Sequence, residues 1–258
     1  MSDDEDFGLG GVFPEEERPP PPPPDIKYYT RPNGQELSIQ LVTTHPLWGH
    51  VLYPTSICLA DYLAKHAEEL VKNKNVLELG AGGGLPSLVC ALEGAKKTVV
   101  TDFPDSSLIS NLQRNIDANI PAESQASIIA EGYTWGSKVD KLIRHLDNPE
   151  KGFNTILAAD LVFNHSQHLA LLKTCEACFS GSERPVLLCF YSHHRPTKEL
   201  IAKDEGFVKL AEERGWKAER VVRKTDAGPA FPEDGGDLAI RSTVHGFKLT
   251  PPGSNAQA

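Results

Sequence analysis

Residues 77–86 read LELGAGGGLP, an apolar strand that runs into glycines 80, 82, 83 and 84 and then into Leu85 and Pro86. Proline suits the first turn of a helix, so the stretch reads as strand, tight turn and helix start. Glycines in such a turn let the backbone approach a ligand closely. The spacing is not that of a dinucleotide fingerprint, because Leu85 stands where GxGxxG requires its third glycine. It is GxGxG, with Glu78 two residues before Gly80.

The next apolar run, 97–101, leads to Asp102, which falls 22 residues after Gly80. A second strand should end there beside the first, where a carboxylate can accept hydrogen bonds from both hydroxyls of a ribose. The alternative is an acid that caps the helix starting near Pro104.

Working outward, β-branched and apolar runs alternate with helical patterns. Strands are predicted at 75–79, 97–101, 126–130, 153–159, 185–191, 217–222 and 238–248, with helices at 86–94, 104–119, 165–179 and 204–215. The alternation predicts an α/β fold with a seven-stranded, mostly parallel sheet. Only the last two strands lack a helix between them, which predicts an antiparallel hairpin at one edge. Ahead of the sheet, 26–30 and 37–43 flank Pro32, Asn33 and Gly34 as an added N-terminal hairpin, followed by a helix over 54–72.

The chain has 258 residues and a net charge of −9. Residues 1–24 hold seven acids against Arg18 alone, and they end in the proline run 19–24. That composition predicts a disordered acidic arm, with the prolines as a spacer or as the ligand of a proline-binding partner. Residues 25–250 form the folded domain, and 251–258 form a polar, disordered tail. Without the arm the charge is close to balanced, so no basic surface for nucleic acid is expected. No apolar run is long enough for a membrane span, and no leader of the secretory kind is visible. Five cysteines within apolar stretches fit a reducing compartment, hence a cytoplasmic protein. Cys175 and Cys178 form a CxxC without a second pair, and His165 and His168 lack a third ligand, so no metal is expected. His193 and His194 end the fifth strand, where they could face solvent, cap a helix or border a substrate.

Four stretches together carry a resemblance: HPLWGHVL at 45–52, GAGGGLPS at 80–87, Tyr133 with Trp135 and Gly136, and AADLVFNH at 158–165. The glycine motif resembles that of class I Rossmann-like methyltransferases dependent on S-adenosyl-L-methionine. The set resembles the seven-strand methyltransferases that modify protein lysines and N-termini, in particular a fungal group acting on elongation factor 1-alpha. The likeness spans about 25–250. It implies that Trp48, Gly80, Ala81, Gly82, Asp102, Trp135 and Ala159 surround the cofactor. It places Asp160, Phe163 and Asn164 on the substrate side.

Asp160 would orient the accepting amine or the cofactor's ammonium, or else cap the helix near Ser166. Phe163 stands where relatives carry tyrosine, so a phenolic hydrogen bond is lost there while ring packing is kept. The implied reaction is methylation of the N-terminal α-amine, and of an adjacent lysine, of elongation factor 1-alpha. The alternatives are a methyltransferase for a small amine such as nicotinamide and an inactive cofactor-binding module. A small-molecule enzyme would close its pocket with extra segments, and none is evident between the strands.

Overall fold

A computed structural model of the protein describes residues 25–43 and 51–253. The acidic arm, most of 45–52 including Trp48, and residues 254–258 lie outside the described residues.

The chain opens with an antiparallel hairpin, β1 (Asp25–Thr30) and β2 (Glu36–Leu41). Two helices follow, α1 (Pro54–Lys65) and α2 (Ala67–Leu70). The predicted single helix over 54–72 is thus divided, because His66 leaves helical geometry at ψ +25°. The core sheet begins with β3 (Asn75–Leu79), α3 (Leu85–Leu92), β4 (Lys97–Asp102), α4 (Ser106–Asn119) and β5 (Ile128–Gly132). After the short α5 (Asp140–Ile143) come β6 (Thr155–Ala159), α6 (His168–Cys178), β7 (Val186–Ser192) and α7 (Lys198–Glu213). The chain closes with β8 (Lys217–Lys224), the short α8 (Leu238–Arg241) and β9 (Val244–Thr250).

The seven strands are ordered β5-β4-β3-β6-β7-β9-β8. Pairing is parallel from β5 to β7, and β9 is antiparallel to both β7 and β8. The order reverses direction at β3, which lies between β4 and β6, and ligands of open α/β sheets bind at the carboxyl ends of strands around such a switch point. Central strands are buried on both faces, which explains their unbroken apolar runs. In β7, Val186, Leu188 and Phe190 join the core beneath α1 and α3, while Leu187, Cys189 and Tyr191 join the core beneath α6 and α7.

Three boundaries differ from the sequence expectation for local reasons. The strand predicted over 126–130 starts later, because a 3-10 turn occupies Ala122–Ser127. Helix α7 starts at Lys198 rather than 204, because Thr197 accepts a hydrogen bond from the Leu200 amide at 3.2 Å and caps it. Residues 238–241 are helical rather than the start of a strand, capped by Asp237, which accepts from the Ile240 amide at 3.1 Å.

One contact set was not visible in the sequence pattern. Asn111, Asn115 and Asn119, one turn apart on α4, dock against the outer edge of β2. Asn115 and Asn119 accept from the Gln40 and Ser38 amides at 2.9 Å each. All three donate to the Gln40 and Ser38 carbonyls at 2.8–2.9 Å. The ladder supplies the partners that an edge strand would otherwise seek from another chain.

Candidate active site

The loop after β3 is shaped by backbone that only glycine adopts readily. Gly80 has φ +60°, and a Cβ there would lie 2.6 Å from Leu161 Cδ2 and 3.2 Å from Trp135 Cζ2. Gly82 has φ +55° and no atom within 4 Å of where its Cβ would stand, so the loop surface there is open. The Ala81 amide donates to the Thr101 carbonyl at 2.9 Å, which fastens the loop to β4.

Asp102 ends β4 and faces this loop. Its Oδ2 accepts from the Gly82 amide at 2.7 Å and its Oδ1 from the Phe103 amide at 2.7 Å. A carboxylate offers about four acceptor positions, and ribose hydroxyls are donors suited to it. The capping acid of α4 is Asp105 instead, which accepts from the Ser107 amide at 2.8 Å. Glu78 is buried under the loop and accepts from the Ser87 amide at 2.9 Å. Burial pushes its carboxyl up to about 8, against the pull of the Ser87 hydrogen bond and with a smaller push from Asp102.

Gly80, Gly82, Asp102 and Trp135 thus lie together as a cradle of the kind that suits a nucleoside-bearing cofactor: open glycine backbone, a carboxylate on the neighbouring strand and an indole against the turn. The half-buried Ala81 and Ala159 border it.

On the other side of Ala159 the chain turns sharply. Asp160 is 3% exposed and has φ +60°, with its amide donating to the Phe190 carbonyl at 2.7 Å. Its Oδ1 lies 2.9 Å from His194 Nε2, and its Oδ2 accepts from Thr55 Oγ1 at 3.2 Å. The carboxylate therefore does not cap the helix near Ser166. The next short helix begins at His165 with no side-chain cap.

Beyond Asp160 lies a cavity of about 330 Å³ lined by Tyr53, Phe163, His194, Leu200, Phe231 and Asp234, among others. Phe163 is 40% exposed at its rim. Asn164 does not join the lining and instead accepts from Ser166 Oγ at 3.1 Å. The rings of Tyr53, His194 and Phe231 pack at centroid distances of 5.4–5.9 Å. Burial and the charge of Asp160 push the Tyr53 phenol far above its ordinary range.

Phe231 and Asp234 come from the segment between β8 and β9, which corrects the expectation that no segment borders the strand ends. The buried Arg241 guanidinium fixes that segment by donating to the Phe231 and Asp234 carbonyls.

In the cavity wall, Asp204 bridges His165 Nε2 at 2.7 Å and His193 Nδ1 at 2.8 Å. His168 Nε2 donates to the Val162 carbonyl at 2.7 Å. Sequence reasoning left His193 and His194 unassigned and passed over Tyr53, Thr55 and Phe231. Only the strand end after 191 pointed toward the histidines, and a loop phenylalanine carries no periodic signal.

A family described as lysine methyltransferase matches residues 32–213. The Schizosaccharomyces pombe protein N-terminal and lysine N-methyltransferase efm7 is 42% identical, with 96% of this chain and 98% of the relative covered. The Cryptococcus neoformans protein of the same name is 41% identical, covering 96% and 90%. Among solved structures, SMU.776 complexed with SAH has a TM-score of 0.55 at 13% identity, covering 89% of this chain and 57% of that one, and it shows the shared fold. This chain belongs to the lysine methyltransferase family and is an S-adenosyl-L-methionine-dependent protein methyltransferase.

Proposed function

We propose that this chain methylates the N-terminal α-amine of elongation factor 1-alpha and then an adjacent lysine, with the cavity beyond Asp160 as the acceptor site. The observation that carries this reading is the position of that cavity, at the carboxyl ends of β6 and β7, where Leu161 between Asp160 and the rim residue Phe163 lies against Gly80, with aromatic rings and Asp234 in the cavity wall. Rings and carboxylates suit an amine that arrives charged. The exposed rim at Phe163 suits the end of a polypeptide. The elongation factor itself comes from the motif resemblance and from relatives whose names specify N-terminal and lysine methylation.

When bound, the cofactor supplies a sulfonium methyl group already activated for in-line attack. Gly80, Gly82, Asp102 and Trp135 would hold it, and the chain's remaining task is to align a neutral amine. An α-amine with a pKa of roughly 7.7–8.0 needs about 3–4 kcal/mol less than a lysine near 10.4 to present its lone pair at pH 7. The terminus is therefore methylated first.

The test is incubation with labelled cofactor and three acceptors: a free N-terminal peptide of the factor, the same peptide acetylated, and nicotinamide. Terminal label on the free peptide is expected, with acetylation removing it. Turnover of nicotinamide beside an inert peptide would contradict the protein acceptor.

A further inference from the structure

We propose that His194 takes the proton of the amine being methylated, with Asp160 as the positioning residue that holds its ring; this rests on the cavity being the acceptor site. His194 is the second residue after β7 and its side chain is 15% exposed. Its ring packs against Tyr53, Phe163 and Phe231, and all four residues line the cavity.

A carboxylate accepts hydrogen bonds, so the 2.9 Å contact to Asp160 Oδ1 places the ring proton on Nε2. In the neutral ring Nδ1 then carries the lone pair. Asp160 cannot swing away easily, since Thr55 holds its other oxygen and the Phe190 carbonyl holds its amide. Leu161, the next residue, packs against Gly80, so the pair stands between the cofactor cradle and the acceptor cavity.

In the transfer, the amine lone pair forms the N–C bond as the C–S bond breaks and leaves its electron pair on sulfur. The ammonium proton of the arriving amine passes to His194 Nδ1 before this attack, which frees the lone pair, and the methylated nitrogen leaves as a cation. The imidazolium beside Asp160 releases that proton to solvent between turnovers, once per methyl added.

The groups around His194 are Asp160 at the end of β6, Tyr53 before α1, His165, Arg195, Asp204 on α7, Asp234 and Arg241 on α8. Burial lowers the pKa of His194, but the hydrogen bond and charge of Asp160, with the charge of Asp204, outweigh burial and Arg241 and raise it overall. The neutral base form is therefore gained as pH rises through a value above the ordinary one for histidine.

The test uses full-length wild type, His194→Gln and Asp160→Asn. Imidazole nitrogen NMR of the wild type should show Nε2 protonated and Nδ1 bare in the neutral ring, and the opposite tautomer overturns the proposal whatever the acceptor. Asp160→Asn should lower the pKa of His194 read in the same spectra. His194→Gln should keep cofactor affinity while kcat falls about 100-fold, with little change in the acceptor's KM and with loss of the histidine limb of the pH profile.

Rates are read on the free N-terminal peptide and on lysate proteins with labelled cofactor. Label on lysate proteins but not on the peptide would contradict the acceptor assignment and leave the variant comparison to be made on the lysate. Wild-type kcat and pH profile in a cofactor-binding His194→Gln protein would overturn the role of His194, and a wild type that labels neither acceptor overturns both readings.

Discussion

Asp102 Oδ2 accepts the Gly82 amide at 2.7 Å, so the carboxylate at the end of β4 and the glycine loop after β3 are set by one hydrogen bond. Removing the carboxylate takes away both the loop's partner and the proposed acceptor for a ribose. Asp102→Ala should weaken cofactor binding by about 1.5–3 kcal/mol, on the order of 10- to 100-fold. Calorimetry on the folded variant checks this, and unchanged affinity would remove Asp102 from the site.

Gly80→Ala would force a left-handed backbone on alanine at a cost of about 1–2 kcal/mol. Its Cβ would also press on Leu161 at 2.6 Å and on Trp135 at 3.2 Å. A lower thermal midpoint and weaker cofactor binding are expected together. Retention of both would show that Leu161 and the loop yield without consequence.

Glu78 is expected to make stability fall with rising pH. Folded, it keeps its proton up to about pH 8, whereas the unfolded carboxyl loses it near its ordinary 4.5. Below 4.5 both states are protonated and nothing is lost. Between 4.5 and 8 the unfolded state gains, and above 8 the loss is complete, on the order of a few kcal/mol. Glu78→Gln keeps an acceptor for the Ser87 amide without the titration. The difference in thermal midpoint between variant and wild type should widen from pH 5 to pH 8 and then level, whereas parallel curves would show Glu78 ionised in the fold.

Asn115 donates at 2.9 Å to both the Gln40 and Gly83 carbonyls and accepts from the Gln40 amide, all while 1% exposed. Asn115→Ala takes that partner from the Gln40 amide and the Gly83 carbonyl, while Asn111 still donates to the Gln40 carbonyl, and should cost about 2–4 kcal/mol in denaturant unfolding. A cost below 1 kcal/mol would mean that water replaces the side chain.

Phe163→Ala should leave stability almost unchanged, because the ring is 40% exposed. It should raise the acceptor's KM by about 2- to 10-fold through loss of ring packing at the cavity rim. Steady-state kinetics on a peptide acceptor separate this from a change in kcat.

How far the sequence could be read follows from how each feature is encoded. The strand, glycine turn and helix start at 77–86 are local, as is the spacing to Asp102, so the end of β4 beside β3 and the closeness of Asp102 to the glycine loop could be anticipated. Leu108, Leu112 and Ile116, spaced for one face of the helix at 104–119, are buried along α4. The acceptor cavity was not legible, because Tyr53, Phe163, His194 and Phe231 are brought together by tertiary contacts from four separate segments. The asparagine ladder was missed because polar residues on a helix ordinarily mark its solvent face, whereas here they satisfy an edge strand. The start of α7 depended on one capping threonine, and residues 238–241 on one capping aspartate.

The most direct test of a protein acceptor is tandem mass spectrometry of elongation factor 1-alpha purified from cells that contain this enzyme and from cells that lack it. Methyl groups on the N-terminal α-amine, with a lesser share on an adjacent lysine, are expected only where the enzyme is present. An N-terminal segment with the same modification state in both would contradict the proposed acceptor.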